Sequence, residues 1–151
     1  NLLASPLAIS KLKELRDQGY TVNFSQGLDL RLMTSEIASV LVDIKLSNLN
    51  FTRRQVYFAW DFMESESSVR QGLGTMLATG IYPRDIIVYI LCGYDTTFEQ
   101  DKYRFSILWK KFGVLPFVML YNNTKDRQLR RFARWVNKRL YRSCSWEGYK
   151  G

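Results

Sequence analysis

Four short apolar, β-prone runs at residues 22–25, 56–60, 86–92 and 117–121 each end abruptly in polar or glycine residues. A stretch with helical spacing follows each of them. The repeat is roughly 30 residues long, the length a parallel strand needs to cross over through a helix and return. Val56-Tyr57-Phe58-Ala59-Trp60 has no polar alternation and reads as a strand buried on both faces. Between the runs, Ile37, Val40, Leu41 and Ile44 share one face of a helix expected over 36–46, opened by the capping residues Thr34-Ser35-Glu36. Further helices are expected over 65–79, with Gly72 and Gly74 inside it permitting close packing, over 98–112 behind the Thr96-Thr97 cap, and over 125–141. An amphipathic helix built on Leu7, Leu12 and Leu15, stopped by Gly19, precedes them all. The pattern predicts an α/β fold with four parallel strands in sequential order, helices on one face and the other face partly uncovered.

In parallel α/β architectures ligands bind where the strands end. The polar clusters after the runs are therefore expected to converge on one site. They are Gln26-Gly27-Leu28-Asp29-Leu30-Arg31, Asp61, Gly93-Tyr94-Asp95 and Asn122-Asn123. Asp61 suits an amine or a ribose hydroxyl, Arg31 suits a bidentate grip on a carboxylate, and Gly27 and Gly93 let a ligand approach the backbone. Structural readings stand beside these. Asp29 and Arg31 also suit a surface ion pair, Gly27 a simple strand end, Asp61 a helix cap, and Arg104 an internal anchor.

Composition narrows the picture. At 151 residues, 46% hydrophobic and 24% charged, the chain is sized for a single domain, 1–151, with a proper core. No apolar run approaches the roughly 18 residues of a membrane span, and no secretory signal pattern opens the chain. There is no histidine, and the two cysteines, Cys92 and Cys144, lie far apart, which excludes the usual Cys/His metal motifs. Cys92 closes an apolar run and is expected in the core, and a reducing cytoplasm is the expected compartment. Asn1-Leu2-Leu3 runs almost at once into the first helix without an initiator methionine, as in a piece excised from a longer protein.

Taken together, Asn23-Phe24-Ser25-Gln26-Gly27-Leu28-Asp29-Leu30-Arg31-Leu32, Phe58-Ala59-Trp60-Asp61, Val88-Tyr89-Ile90-Leu91-Cys92-Gly93-Tyr94-Asp95-Thr96-Thr97, Tyr103-Arg104 and Pro116-Phe117-Val118-Met119-Leu120-Tyr121-Asn122 give the chain a family likeness. It resembles radical S-adenosylmethionine proteins, in particular a bacterial and phage group of Fe-S oxidoreductases. The resemblance implies a partial, TIM-barrel-like (β/α) barrel in which these four units are the third to sixth strands of six. It also implies an enzyme whose full-length form uses S-adenosylmethionine and a 4Fe-4S cluster. The cluster's Cys-x-x-x-Cys-x-x-Cys loop is absent here, so the missing N-terminal half is the expected partner, and the fragment is expected to be inactive and to bind no cluster. Cofactor contacts are expected from Gly27, Asp29, Arg31, Asp61, Gly93 and Asn122, with no metal ligand among them. Self-association through the cut barrel edge is a further expectation.

The charge of +8 is concentrated. Residues 125–142 hold eight lysines and arginines against one acid, Asp126. Leu129, Phe132, Ala133, Val136 and Leu140 make an apolar stripe, and Arg130, Arg134 and Lys138 line the opposite side. A solvated outer helix is one reading, and a contact surface for nucleic acid or for another part of the parent is the other. Two further functions stay open at this point: a nucleic-acid-binding module, and an α/β domain for a small anionic ligand.

Overall fold

A computed structural model of the chain describes residues 2–151. Asn1, with which the expected excised piece opens, falls outside them. Among the described residues, six strands form two parallel sheets. In the smaller, β1 (Thr21–Val22) pairs with β3 (Lys45–Leu46). In the larger, β2 (Leu28–Asp29), β4 (Val56–Ala59), β5 (Ile86–Cys92) and β6 (Leu115–Leu120) lie side by side in sequence order, all parallel. The helices are α1 (Ala8–Asp17), α2 (Ser35–Asp43), α3 (Glu66–Leu77), α4 (Phe98–Ser106) and α5 (Arg127–Asn137).

Alternation along the strands divides the sheet into two faces. Val56, Phe58, Ile86, Val88, Ile90, Cys92 and Val118 point into one core shared with Leu41, Leu73, Met76, Phe105, Leu108 and Phe132 of the helical layer. Burying each such side chain fully contributes about 1.5–3 kcal/mol. The opposite face carries Tyr57, Ile87 and Leu115 with Tyr89 and Trp109 in a small separate cluster. Phe117 and Met119 on that face remain exposed. Helices on one side and a partly bare sheet on the other match the expectation.

The first strand differs from it. Residues 21–25 do not run as one strand, because the Asn23 side chain accepts from the Ser25 amide and donates to the Ser47 carbonyl, turning the chain. Gly27, at φ +79°, completes the turn, and pairing resumes at Leu28–Asp29. Two residues assigned to a polar strand end are thus the strand itself. Helix 36–46 is also shorter than expected. Ile44 turns extended after Asp43, and buried Ile44 and Leu46 flank exposed Lys45, a period of two that suits pairing with β1. Helix 98–112 is α-helical to Ser106 and continues as a π turn over Ile107–Lys111. The caps hold: Thr34 Oγ1 accepts from the Ile37 amide, and Thr97 forms a capping box with Gln100.

Two edges bound the larger sheet. β2 is short and packs beside the 3-10 turn Leu2–Ala4. At β6 the Asn137 carboxamide donates to the Val118 carbonyl (3.0 Å) and accepts from its amide (2.8 Å), so a side chain occupies the place of a fifth strand.

One side chain ties the sheet to the helical layer. Arg104 of α4 is fully buried and donates to the carbonyls of Trp60 (2.6 Å), Asp61 (2.9 Å) and Leu91 (2.6 Å), to Thr96 Oγ1 (3.2 Å) and to Asp101 Oδ1 (2.6 Å). This bears out the anchoring role read for it from the sequence. Replacing it by Met strands a buried Asp101 carboxylate and three carbonyls, and urea unfolding should register a loss of about 3–5 kcal/mol. Lys, with three donors for five acceptors, should recover only part of that. The two glycines of α3 provide a second check. A Cβ on Gly72 would run into the Leu30 carbonyl, whereas none at Gly74 would meet anything within 4 Å. Gly72→Ala should cost about 1–3 kcal/mol, and Gly74→Ala should gain about 0.5–1 kcal/mol.

Candidate functional site at the strand C-termini

The ends of β2, β4 and β5 bring three of the expected residues into one electrostatic neighbourhood. Asp29 closes β2, Asp61 stands two residues past β4, and Arg31 lies in the 3-10 turn after β2. The bond to Asp29 chiefly holds the Arg31 guanidinium above its usual range, with lesser pulls from Asp61 and Glu64, and Asp61 in turn feels Arg31 and Asp29 weakly. Gly93 follows β5, and Asn122 sits exposed in the turn after β6, in a left-handed conformation (φ 50°) that asparagine tolerates.

Arg31 does not hold its guanidinium free for a ligand carboxylate. Its Nε meets Asp29 Oδ1 at 2.9 Å and its Nη2 meets Oδ2 at 2.7 Å, a bidentate pair. Asp29 Oδ1 also accepts from the Arg31 amide at 3.0 Å, capping the turn. The side-chain bond to Arg31 chiefly holds the Asp29 carboxyl below the usual carboxylate range. The ion-pair reading of these two residues therefore stands.

Asp61 is different. It is half-buried, and among the described residues no ion pair takes it up. It does not cap the following turn either, where Phe62 holds the N-cap position without a side-chain bond. Burial pushes its carboxyl above the usual value, against the pull of Arg104, the Leu91 amide and Arg31. Beside it, the rings of Phe62 and Tyr94 (centroids 6.3 Å apart) and of Tyr94 and Tyr121 (4.7 Å) form an aromatic rim. Among the described residues, Asp29, Asp61 and Glu64 share this edge with Arg31, and the buried Arg104 is matched by Asp101, so acids outnumber cations there. An acidic rim with exposed rings suits a cationic ligand that carries a planar group.

The two glycines serve the chain before any ligand. Gly27 lies at the entry of β2, not past a strand end, and a Cβ there would press on the Tyr89 ring (3.3 Å) and the Phe58 carbonyl carbon (3.4 Å). That corrects its expected position, for the same reason the first strand is broken. Gly93, at φ +81°, does follow its strand, but a Cβ there would meet Leu129 of α5 at 2.9 Å. Only its exposed backbone remains for a ligand.

Arg130, Arg134 and Lys138 lie on the exposed side of α5, as expected, while Trp135 points inward. Residues not singled out from the sequence line the bare sheet face. Tyr57, Tyr89 and Phe117 form a row across β4, β5 and β6: Tyr89 lies opposite Phe117, edge to face, and diagonally from Tyr57, on which it stacks, with centroids 5.8 Å apart in each pair, beside a cleft of about 570 Å³. The available signal was an aromatic in each of three successive apolar runs, at Tyr57, Tyr89 and Phe117. Among the described residues no group of three histidine, cysteine, aspartate or glutamate side chains is placed to hold a metal ion. Cys92 is buried, which keeps its thiol well above the usual range and protonated.

Because the folded-state pKa of Asp61 is raised, the native state holds its proton more tightly than the unfolded chain. Its contribution to stability therefore falls as pH rises through the window above about 4. Asp61→Asn keeps the acceptor oxygen and removes the buried charge. The variant should melt at the wild-type temperature or higher at pH 7, with the difference closing toward about pH 4. Scanning calorimetry at the two pH values is the measurement, and a clear drop in melting temperature at pH 7 would show Asp61 to be a structural partner instead of an available carboxylate.

Compared with known proteins, the chain matches no family model, no curated protein and no solved structure.

Proposed function

We propose that this chain is the C-terminal part of a radical S-adenosylmethionine Fe-S oxidoreductase. Its four strand–helix units are the second portion of a partial (β/α) barrel, and they supply cofactor and substrate contacts at the strand C-terminal ends. The observation that carries the reading is the half-buried, unpaired carboxylate of Asp61 on an acidic edge flanked by Phe62, Tyr94 and Tyr121. S-adenosylmethionine has a sulfonium and an ammonium, both cationic, a ribose diol and a planar adenine. Asp61 is suited to the ammonium or the diol, the rings to the adenine, and the exposed Gly93 backbone to close approach. The same acidity argues against the small anionic ligand considered from the sequence.

The iron–sulfur cluster does not fit the residues present. Cys92 is buried and protonated, and Cys144 lies in the C-terminal segment beyond α5. In this reading the three cluster thiolates belong to a preceding portion of the parent, and no chemical step is assigned to the chain itself. Its role is to bind, orient and partly desolvate the cationic end of the cofactor.

Isothermal titration with S-adenosylmethionine, S-adenosylhomocysteine and ATP tests the reading. The sulfonium compound should bind best and the polyanion worst. Asp61→Asn should weaken S-adenosylmethionine binding by about tenfold to a hundredfold, the loss of one charged hydrogen bond of about 1.5–3 kcal/mol. ATP binding as tightly as S-adenosylmethionine, or an Asp61→Asn variant with unchanged affinity, would remove the proposal.

A further inference from the structure

The densest run of cations in the chain lies on and just after α5. Eight cations fall within residues 125–142, and among the described residues none of them enters an ion pair. The one acid in that stretch, Asp126, is occupied as the N-cap of α5, accepting from the Gln128 (2.7 Å) and Leu129 (3.1 Å) amides. Arg127, Arg130, Arg134 and Lys138 are all exposed. Spacings of three and four residues put them on a single ridge, with about 6 Å along the helix axis between residues four apart.

The other side of α5 is already committed. Leu129, Phe132 and Val136 are buried in the core, so the helix has no free apolar face to lay into a bilayer. The partner that fits is a polar polyanion, and a neighbouring cleft distinguishes which. Between α4, its π turn, α5 and the segment after α5 lies a cleft of about 840 Å³ walled by Trp109, Trp135, Tyr141 and Trp146. Trp109 and Tyr141 meet at 4.9 Å, and the Arg142 guanidinium lies over the Trp109 ring at 5.5 Å. Lys102 and Lys110 line it too, with Glu99 and Glu147 among them, and Glu99 is paired with Lys102 at 3.0 Å. The cleft is thus aromatic and close to charge-balanced, and the uncompensated charge is on the ridge. Aromatic walls and a cationic track built on the same helix are the requirements of single-stranded nucleic acid, whose bases stack while its phosphates follow the charge.

We propose that this face binds single-stranded nucleic acid, with the phosphate backbone on the ridge of Arg127, Arg130, Arg134 and Lys138 and a base stacked in the Trp109–Tyr141–Trp146 cleft. An acidic protein would use the ridge and leave the cleft idle. A duplex would use the ridge and keep its bases in their own stack.

Fluorescence anisotropy of the full chain with a labelled oligonucleotide of about 12 nucleotides, within the site sizes of single-strand binders, tests this. Affinity should fall with salt. The triple variant Arg130→Ala/Arg134→Ala/Lys138→Ala should bind about tenfold or more weakly, and its log–log salt slope should be shallower by about 2, at about 0.7 per phosphate lost. A control that removes three exposed cations elsewhere, Lys11→Ala/Lys45→Ala/Arg84→Ala, should bind nearly as the wild type. Single-strand titration should quench the intrinsic tryptophan emission of the unaltered protein, a readout that needs no mutation in the cleft. The proposal is overturned if the control loses as much affinity as the ridge variant. It is equally overturned if a duplex or poly-glutamate binds as tightly as the single strand, or if tryptophan emission does not change on saturation.

Discussion

The Arg104 guanidinium is the constraint on which the working edge of this protein depends. It is a cation with no exposure to water, held there by five acceptors on its Nη1 and Nη2, while its Nε meets none. Three of its five acceptors are main-chain carbonyls at the ends of β4 and β5, at Trp60, Asp61 and Leu91. Just beyond their strand pairing these groups would otherwise face the core with no strand to satisfy them. Asp101, one turn earlier in α4, neutralises the charge and is itself fully buried. Thr96 Oγ1 donates to Asp101 Oδ1 at 2.6 Å and closes the network. A helix is thereby locked to two strand ends, and the position of Asp61 relative to the sheet follows from the lock.

That arrangement leaves Asp61 in an unusual state. Its carbonyl is held by Arg104, while its carboxylate, half-buried and pushed toward the protonated form, has no ion-pair partner among the described residues. A desolvated carboxylate held by a main-chain amide but by no ion pair costs folding free energy and is suited to a cation brought from outside. Asp29 contrasts with it on the neighbouring strand, because there Arg31 satisfies the charge internally. The same edge thus holds one carboxylate that serves the fold and one that is available to a ligand.

Charge is segregated across the molecule. Acids gather at the strand ends, and the cations of residues 125–142 gather on and after α5, whose apolar side completes the core. Such polarity sets potentials of opposite sign over the two surfaces, the condition for steering oppositely charged ligands. The sheet between them shows a third surface, the ladder of Tyr57, Tyr89 and Phe117, tied down by the Tyr89 hydroxyl on the Ser25 carbonyl (2.9 Å).

The sequence by itself determined the repeat, the parallel order of the strands, the caps at Thr34 and Thr97 and the amphipathic character of α5. All of these rest on local periodicity and on side chains that bond within a few residues of themselves. It also located Asp61 past a strand end, because an apolar run that stops at a charge marks such an end, whereas the same pattern places Asp29 and Arg31 after a strand at 22–25 that the fold breaks in favour of Leu28–Asp29. Tertiary structure alone decided the rest. The broken first strand depends on Asn23 reaching Ser47, and the early end of α2 depends on β3 finding β1, contacts between residues more than twenty positions apart. Whether Arg31 would serve a ligand or Asp29, and whether Gly93 was needed by a ligand or by Leu129, were questions of which atoms lie within a few ångströms. Periodicity reports which face a side chain takes, and only the folded chain supplies the neighbour that the face then meets.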